Sequence, residues 1–119
     1  MIYAYALNSD GSYERITSFK SGFDSIMSLY FDHDTGYLWG RCDDTCDNQS
    51  VIFTIKVSGQ FSIKSVFDAP STLPNSNNEG FAIAPESECI KGKKNVYWSD
   101  DSAIDGHVLR QDNVPCGTF

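Results

Sequence analysis

The residues best suited to chemistry are acidic, and they fall in matched places. Asp43-Asp44 follows Trp39 closely, Asp100-Asp101 follows Trp98, and Asn77-Asn78-Glu79-Gly80 leads straight into an apolar run. Hard carboxylate oxygens on glycine-containing turns are the donors that calcium takes. Asp43, Asp44, Glu79, Asp100 and Asp101 are therefore candidate metal ligands, with Asp24 beside them, and calcium is the candidate cofactor. The spacing is not that of an EF-hand. Glu79 doubles as a candidate general base and His107 as a proton carrier near an Asp pair, which makes these two the candidate catalytic residues. A plainer reading stands beside each: acidic loops that are merely solvated, a glutamate in a turn, a histidine that packs.

Trp39 and Trp98 fall at equivalent points of the pattern, as core packing between sheets or as sugar-stacking platforms. Lys91-Gly92-Lys93-Lys94 reads as a solvated loop, too small a cluster for nucleic acid. No Gly-x-Ser-x-Gly elbow, phosphate loop or His-Glu-x-x-His pair occurs, so serine-hydrolase chemistry of the usual kind has no support.

Cysteines bear on the compartment. Cys42, Cys46, Cys89 and Cys116 allow three pairings, of which Cys42–Cys46 with Cys89–Cys116 is preferred. Zinc-knuckle spacing is not matched. Asn48-Gln49-Ser50 is a glycosylation acceptor triplet on Asn48. These features point to a secreted, extracellular protein. Met1 to Leu7 has no basic region and no cleavage site, so it is not a signal peptide, and the expectation is a mature or trimmed piece of a longer precursor.

Composition narrows the field further. With 119 residues, 40% of them hydrophobic, one globular unit is expected. No apolar run reaches the roughly 20 residues of a membrane-spanning helix. A net charge of −7 repels a phosphate backbone, so nucleic acid is not an expected partner.

The elements that must hold these residues form an internal repeat of about 50 residues. Ile2–Leu7 and Tyr13–Phe19 recur as Ile52–Val57 and Phe61–Phe67, and Ser25–Phe31 with Tyr37–Trp39 recurs as Gly80–Pro85 with Val96–Trp98. Apolar and polar residues alternate at period two, the pattern of half-buried antiparallel strands. Four short strands per repeat predict an all-β fold of antiparallel four-stranded blades from an incomplete β-propeller. Labelled from the centre outward, the strands read c-d, then a-b-c-d, then a-b-c. Residues 1–22 form the end of one blade, 23–69 a complete blade and 70–119 the last blade. In that geometry the acidic loops converge on one rim, and another polypeptide, from the same precursor or a homo-oligomer, must supply the remaining blades.

Asn77–Ala84, Tyr97–Ser102 and Gly106–Arg110 together resemble the esterase-like/phytase-like group of secreted β-propeller proteins, in which an Asn-x-Glu-Gly element opens an inner strand. The resemblance covers about the last 45 residues, and Glu79 and Gly80 are the positions that carry over. It implies a metal-assisted hydrolase of phosphate or carboxylate esters. Only Arg41 supplies a base in the proposed rim loops, so bound cations would have to offset the acidic field. The function expected first is a secreted module that binds, scaffolds or assembles, with calcium as a structural ion; the hydrolase and an oligomeric propeller lectin are the alternatives.

Overall fold

The computed structural model describes residues 1–117, and among them nine strands form three antiparallel sheets. β1 (Ile2–Leu7) pairs with β2 (Tyr13–Phe19). A four-stranded meander follows: β3 (Ile26–Asp32), β4 (Tyr37–Cys42), β5 (Ser50–Ile55) and β6 (Phe61–Phe67). β7 (Asn78–Ile83), β8 (Lys93–Ile104) and β9 (His107–Pro115) make the third sheet. The chain is thus all-β, with two, four and three strands in the order that the alternating pattern predicts. Turn chemistry explains the tight joints. Asp105 and Gly106 both take positive φ, 55° and 78°, as a two-residue hairpin loop between Ile104 and His107 requires.

Register decides what packs where. β3 carries a bulge between Ile26 and Ser28 opposite β4, and β7 carries one between Asn78 and Gly80 opposite β8. Each bulge adds one residue, Met27 in one sheet and Glu79 in the other. Superposing the bulges matches Ile26 to Asn78 and Cys42 to Asp100. Trp39 is then matched by Tyr97, and Trp98 by Gly40. This corrects the expectation that the two tryptophans are equivalent: they differ by one position, and one position sends side chains to opposite faces of a sheet.

The correction makes the packing intelligible. Trp39 and Ile52 lie on one face of the second sheet and meet Ile83, Val96 and Trp98 of the third. Val51 and Phe53, on the other face, pack with Ile2 and Phe19 of the first sheet. Gly40 is the small residue that lets them do so, because a Cβ there would sit 3.1 Å from both Phe53 and Val51 side chains. Neighbouring sheets also touch along their first strands. The Ser28 hydroxyl donates to Asn78 Oδ1 at 3.3 Å, and the Tyr30 hydroxyl donates to the Ile83 carbonyl at 2.9 Å.

Two faces remain outermost. On the third sheet, Asn95 Nδ2 donates to the Tyr97 hydroxyl at 3.0 Å and Gln111 Nε2 to Asn95 Oδ1 at 3.1 Å, so part of that face is a polar network, with Leu109 exposed on the same face. On the first sheet, Tyr3, Tyr5, Leu7 and Tyr13 are exposed. Gly40→Val forces a branched side chain against Phe53 and should cost roughly 1–3 kcal/mol, read as a lowered denaturant midpoint at unchanged slope. An unchanged midpoint would show that the first two sheets do not pack this way.

Candidate functional site

The expected rim exists as a place. The ends of β4 and β6, the starts of β3, β5 and β7, and the middle of β8 lie at one end of the sheets, where Asp43 and Asp100 are found. The carboxylates are nevertheless engaged separately. Asp43 caps the short 3-10 turn Asp44–Cys46, its Oδ1 accepting from the Thr45 N–H at 2.9 Å and from the Thr45 hydroxyl, its Oδ2 from Ser25 Oγ at 3.0 Å. The Thr45 hydroxyl above all holds this carboxyl below its usual 3.8, against the opposing effect of burial. Asp100 is buried and accepts from Ser76 Oγ at 2.8 Å and from Arg110 Nε at 3.3 Å. Asp101 Oδ2 accepts from Asn77 Nδ2 at 2.8 Å. Asp24, Asp44 and Glu79 are exposed, Glu79 as the extra residue of its bulge.

Among the described residues no three of these six acids bring their oxygens within 4.8 Å of one another. The convergence expected of Asp24, Asp43, Asp44, Glu79, Asp100 and Asp101 is therefore not formed, because each buried carboxylate is satisfied by hydroxyls, amides or Arg110 nearby. His107 stands exposed at the tip of the β8–β9 hairpin, opposite Ile104. The basic group on Asp100 is Arg110, not His107.

Arg41, expected in an exposed loop, is buried in the core between the second and third sheets. Its guanidinium lies 5.5 Å from the Trp98 ring centroid, and Nη1 donates to Ser50 Oγ at 2.9 Å. Burial pulls its pKa down to about 10, while Asp100 works in the other direction. The group stays charged at neutral pH, and its Nε has no hydrogen-bond partner among the described residues.

The cysteines join as preferred, Cys42 to Cys46 and Cys89 to Cys116, with Cα separations of 5.9 and 6.1 Å. The second bond spans 27 residues and ties the 3-10 turn before β8 to the end of β9, for about 3.5 kcal/mol of loop-closure entropy. Asn48 is buried with φ 53°, and its Nδ2, the atom that would carry a glycan, donates to Asn75 Oδ1. A glycan there requires this loop to open. Among the described residues no helix is long and apolar enough to cross a membrane.

The Lys91–Lys94 segment also differs from expectation. Lys93 and Lys94 open β8, and Lys94 is buried with its ammonium 2.7 Å from Glu86 Oε1. The solvated-loop reading missed this because Lys94 alternates in step with Val96 and Trp98, which is its one sequence signal.

No family model, curated protein or solved structure matches this chain.

An aromatic-lined cavity lies next to the rim. Between the second and third sheets a cavity of about 140 Å³ is lined by Trp39, Phe67, Phe81 and Trp98, with Asp68 and Asp112 beside them. The rings form a chain, Phe67 to Trp39 at 5.7 Å, Trp39 to Phe81 at 5.6 Å and Phe81 to Trp98 at 6.2 Å. Nothing in the acidic or cysteine motifs pointed to it. Asp112, a charge on the inward face of β9, is the residue that marks it.

The Glu86 carboxyl is held below its usual 4.5, first by the bond from Lys94 and then by the Gly117 N–H. A depressed carboxyl contributes stability that is complete above the unfolded value and lost as pH falls through the folded one. Wild type should therefore melt above Glu86→Gln at every pH higher than 4.5, with the gap closing as acid is added. A gap independent of pH would refute the pair.

Proposed function

We propose that this chain is a block of β-propeller blades acting as a secreted module that assembles with a further sheet. The observation that carries it is a difference in exposure between equivalent residues. β1–β2 and β5–β6 share a bulge, with Ile16 and Lys64 as the extra residues. Matching the bulges sets Tyr3 on Val51 and Tyr5 on Phe53. Val51 and Phe53 are 0% and 1% exposed because the first sheet covers them, whereas Tyr3 and Tyr5 are 51% and 56% exposed. The first sheet thus presents the face that its neighbour keeps dry, and a like sheet is what covers such a face within the chain.

Side-by-side contact of β3 with β7, and one repeat per sheet, support the propeller geometry. Two disulfides support an oxidising compartment. The covering sheet comes from another polypeptide, whether a second copy or another piece of the same precursor. The lectin alternative is weaker, because Trp39 and Trp98 are both buried and face each other inside the core instead of offering open platforms. For the hydrolase, the engaged Asp43, Asp100 and Asp101 leave no gathered donor set among the described residues.

Native mass spectrometry across a concentration series tests this. Species heavier than the 13.2 kDa chain should grow with concentration, and Tyr3→Asp/Tyr5→Asp should remove them while leaving the far-ultraviolet dichroism unchanged. A wild-type chain that stays monomeric and as soluble as the double variant sinks the assembly reading.

A further inference from the structure

We infer that the ring closed by the Cys42–Cys46 bond gates an N-glycosylation site at Asn48: the open chain accepts an oligosaccharide there, and the closed chain does not. The inference shares the oxidising compartment of the reading above but not its assembly, and it concerns a different part of the chain.

Asn48-Gln49-Ser50 has the residue types of an acceptor, and a glycan so placed must project into solvent. In the fold all three residues are held. Asn48 is 2% exposed, and its Nδ2 donates to Asn75 Oδ1 on the connection into β7. Gln49 donates its N–H to the Cys46 carbonyl at 3.1 Å and its Nε2 to Asp68 Oδ1 at 3.0 Å. Ser50 Oγ, the hydroxyl that the acceptor pattern requires, takes a bond from buried Arg41 Nη1 at 2.9 Å. An amide and a hydroxyl so enclosed are out of reach of a transferring enzyme.

The ring beside this segment holds it shut. The Asp43 carbonyl lies within the ring and accepts from the Cys46 N–H at 3.3 Å and from the Asn48 N–H at 2.9 Å. The Cys42 N–H, at the other end of the ring, donates to the Gln49 carbonyl at 2.9 Å. Between these bonds the chain turns through Asp47 and Asn48, both left-handed, at φ 55° and 53°. L residues adopt that conformation at a cost, and two in succession persist only where the surrounding bonds impose them. With Cys42 and Cys46 as separate thiols the Asp43 carbonyl is no longer fixed, and residues 47–49 relax toward the extended form that releases Asn48 and Ser50. Closure is lasting, because Cys42 is 0% exposed and a reductant meets only Cys46.

Two reactions therefore compete for the open loop. In one, Asn48 Nδ2 bonds to the anomeric carbon of a lipid-diphosphate oligosaccharide as the bond from that carbon to the phosphate oxygen breaks; the lipid diphosphate leaves, and the amide gives up one proton. In the other, the Cys42 and Cys46 thiols lose two protons and two electrons to a disulfide oxidant, which becomes a dithiol. A glycan on Nδ2 keeps Asn48 from returning to Asn75, so each product excludes the other.

Mass spectrometry after incubation with a purified oligosaccharyltransferase and its lipid-linked donor tests the gate, each oxidised chain or variant being held at a temperature where it keeps its folded far-ultraviolet dichroism. Oxidised wild type should gain no mass. Cys42→Ser/Cys46→Ser should gain one glycan, which is lost when Asn48→Gln is added. Cys89→Ser/Cys116→Ser, which lacks the longer staple and keeps the ring, should stay unmodified. Reduced wild type given the enzyme and oxidised glutathione together needs no substitution: its glycosylated molecules should carry Cys42 and Cys46 as alkylatable thiols, and its unglycosylated molecules should carry them as the disulfide. A glycan on oxidised wild type, an unmodified Cys42→Ser/Cys46→Ser chain, equal modification of the two cysteine variants, or a glycosylated peptide with the bond intact would overturn the inference. None of these outcomes alters the concentration-dependent mass that tests assembly.

Discussion

Contact between the sheets depends on which side chains each strand turns toward its neighbour, and one-residue bulges set that choice. Met27 in β3 and Glu79 in β7 are extra residues, each displacing the pairing by one position. Downstream of a bulge the alternation is inverted relative to an uninterrupted strand. Trp98 therefore turns toward the second sheet, where it joins Trp39 and Ile52 beside its own strand partner Phe81. On the opposite face Gly40 leaves room for Phe53 and Val51. The bulges also place the exposed Glu79, the residue that the resemblance singled out, outside the pairing.

Much of the architecture was legible in the residues. Period-two alternation in Ile2–Leu7 and Phe61–Phe67, with Asp-Gly and Ser-Gly turns, has one structural meaning, and the strands lie where it puts them. The preferred cysteine pairs are the ones that form. Matching the two tryptophans went wrong by one residue, since composition does not reveal a bulge: an extra Met or Glu looks like any other strand residue. The rim failed for a different reason. Asp43 and Asp100 do lie at one end of the sheets, but Thr45, Ser25, Ser76 and Arg110 reach them first. Sequence places a carboxylate on a loop; it does not say which hydroxyl or guanidinium the fold will bring to it. Arg41 and Lys94 were read as surface charges for the same reason, although both are buried against partners.

Charge inside this small β protein is handled by local neutralisation. Arg110 with Asp100 and Lys94 with Glu86 are short contacts with one partner buried. Arg41 is the exception, held by Ser50, an indole face and the field of Asp100. A buried guanidinium with so few bonds costs stability, and it lies in the same intersheet layer as the cavity. The second interface thus holds a buried guanidinium, while the first is built on the contacting rings of Phe19, Phe53 and Phe61.

The two outermost faces are chemically unlike. Asn95, Tyr97 and Gln111 bond to one another across the last sheet, so its amides and hydroxyl are already occupied. Tyr3, Tyr5, Leu7 and Tyr13 on the first sheet leave rings in water. The apolar burden of the two outer faces is therefore unequal: the first sheet exposes a row of aromatic rings, while much of the last sheet's outer face is occupied by bonded amides and a hydroxyl.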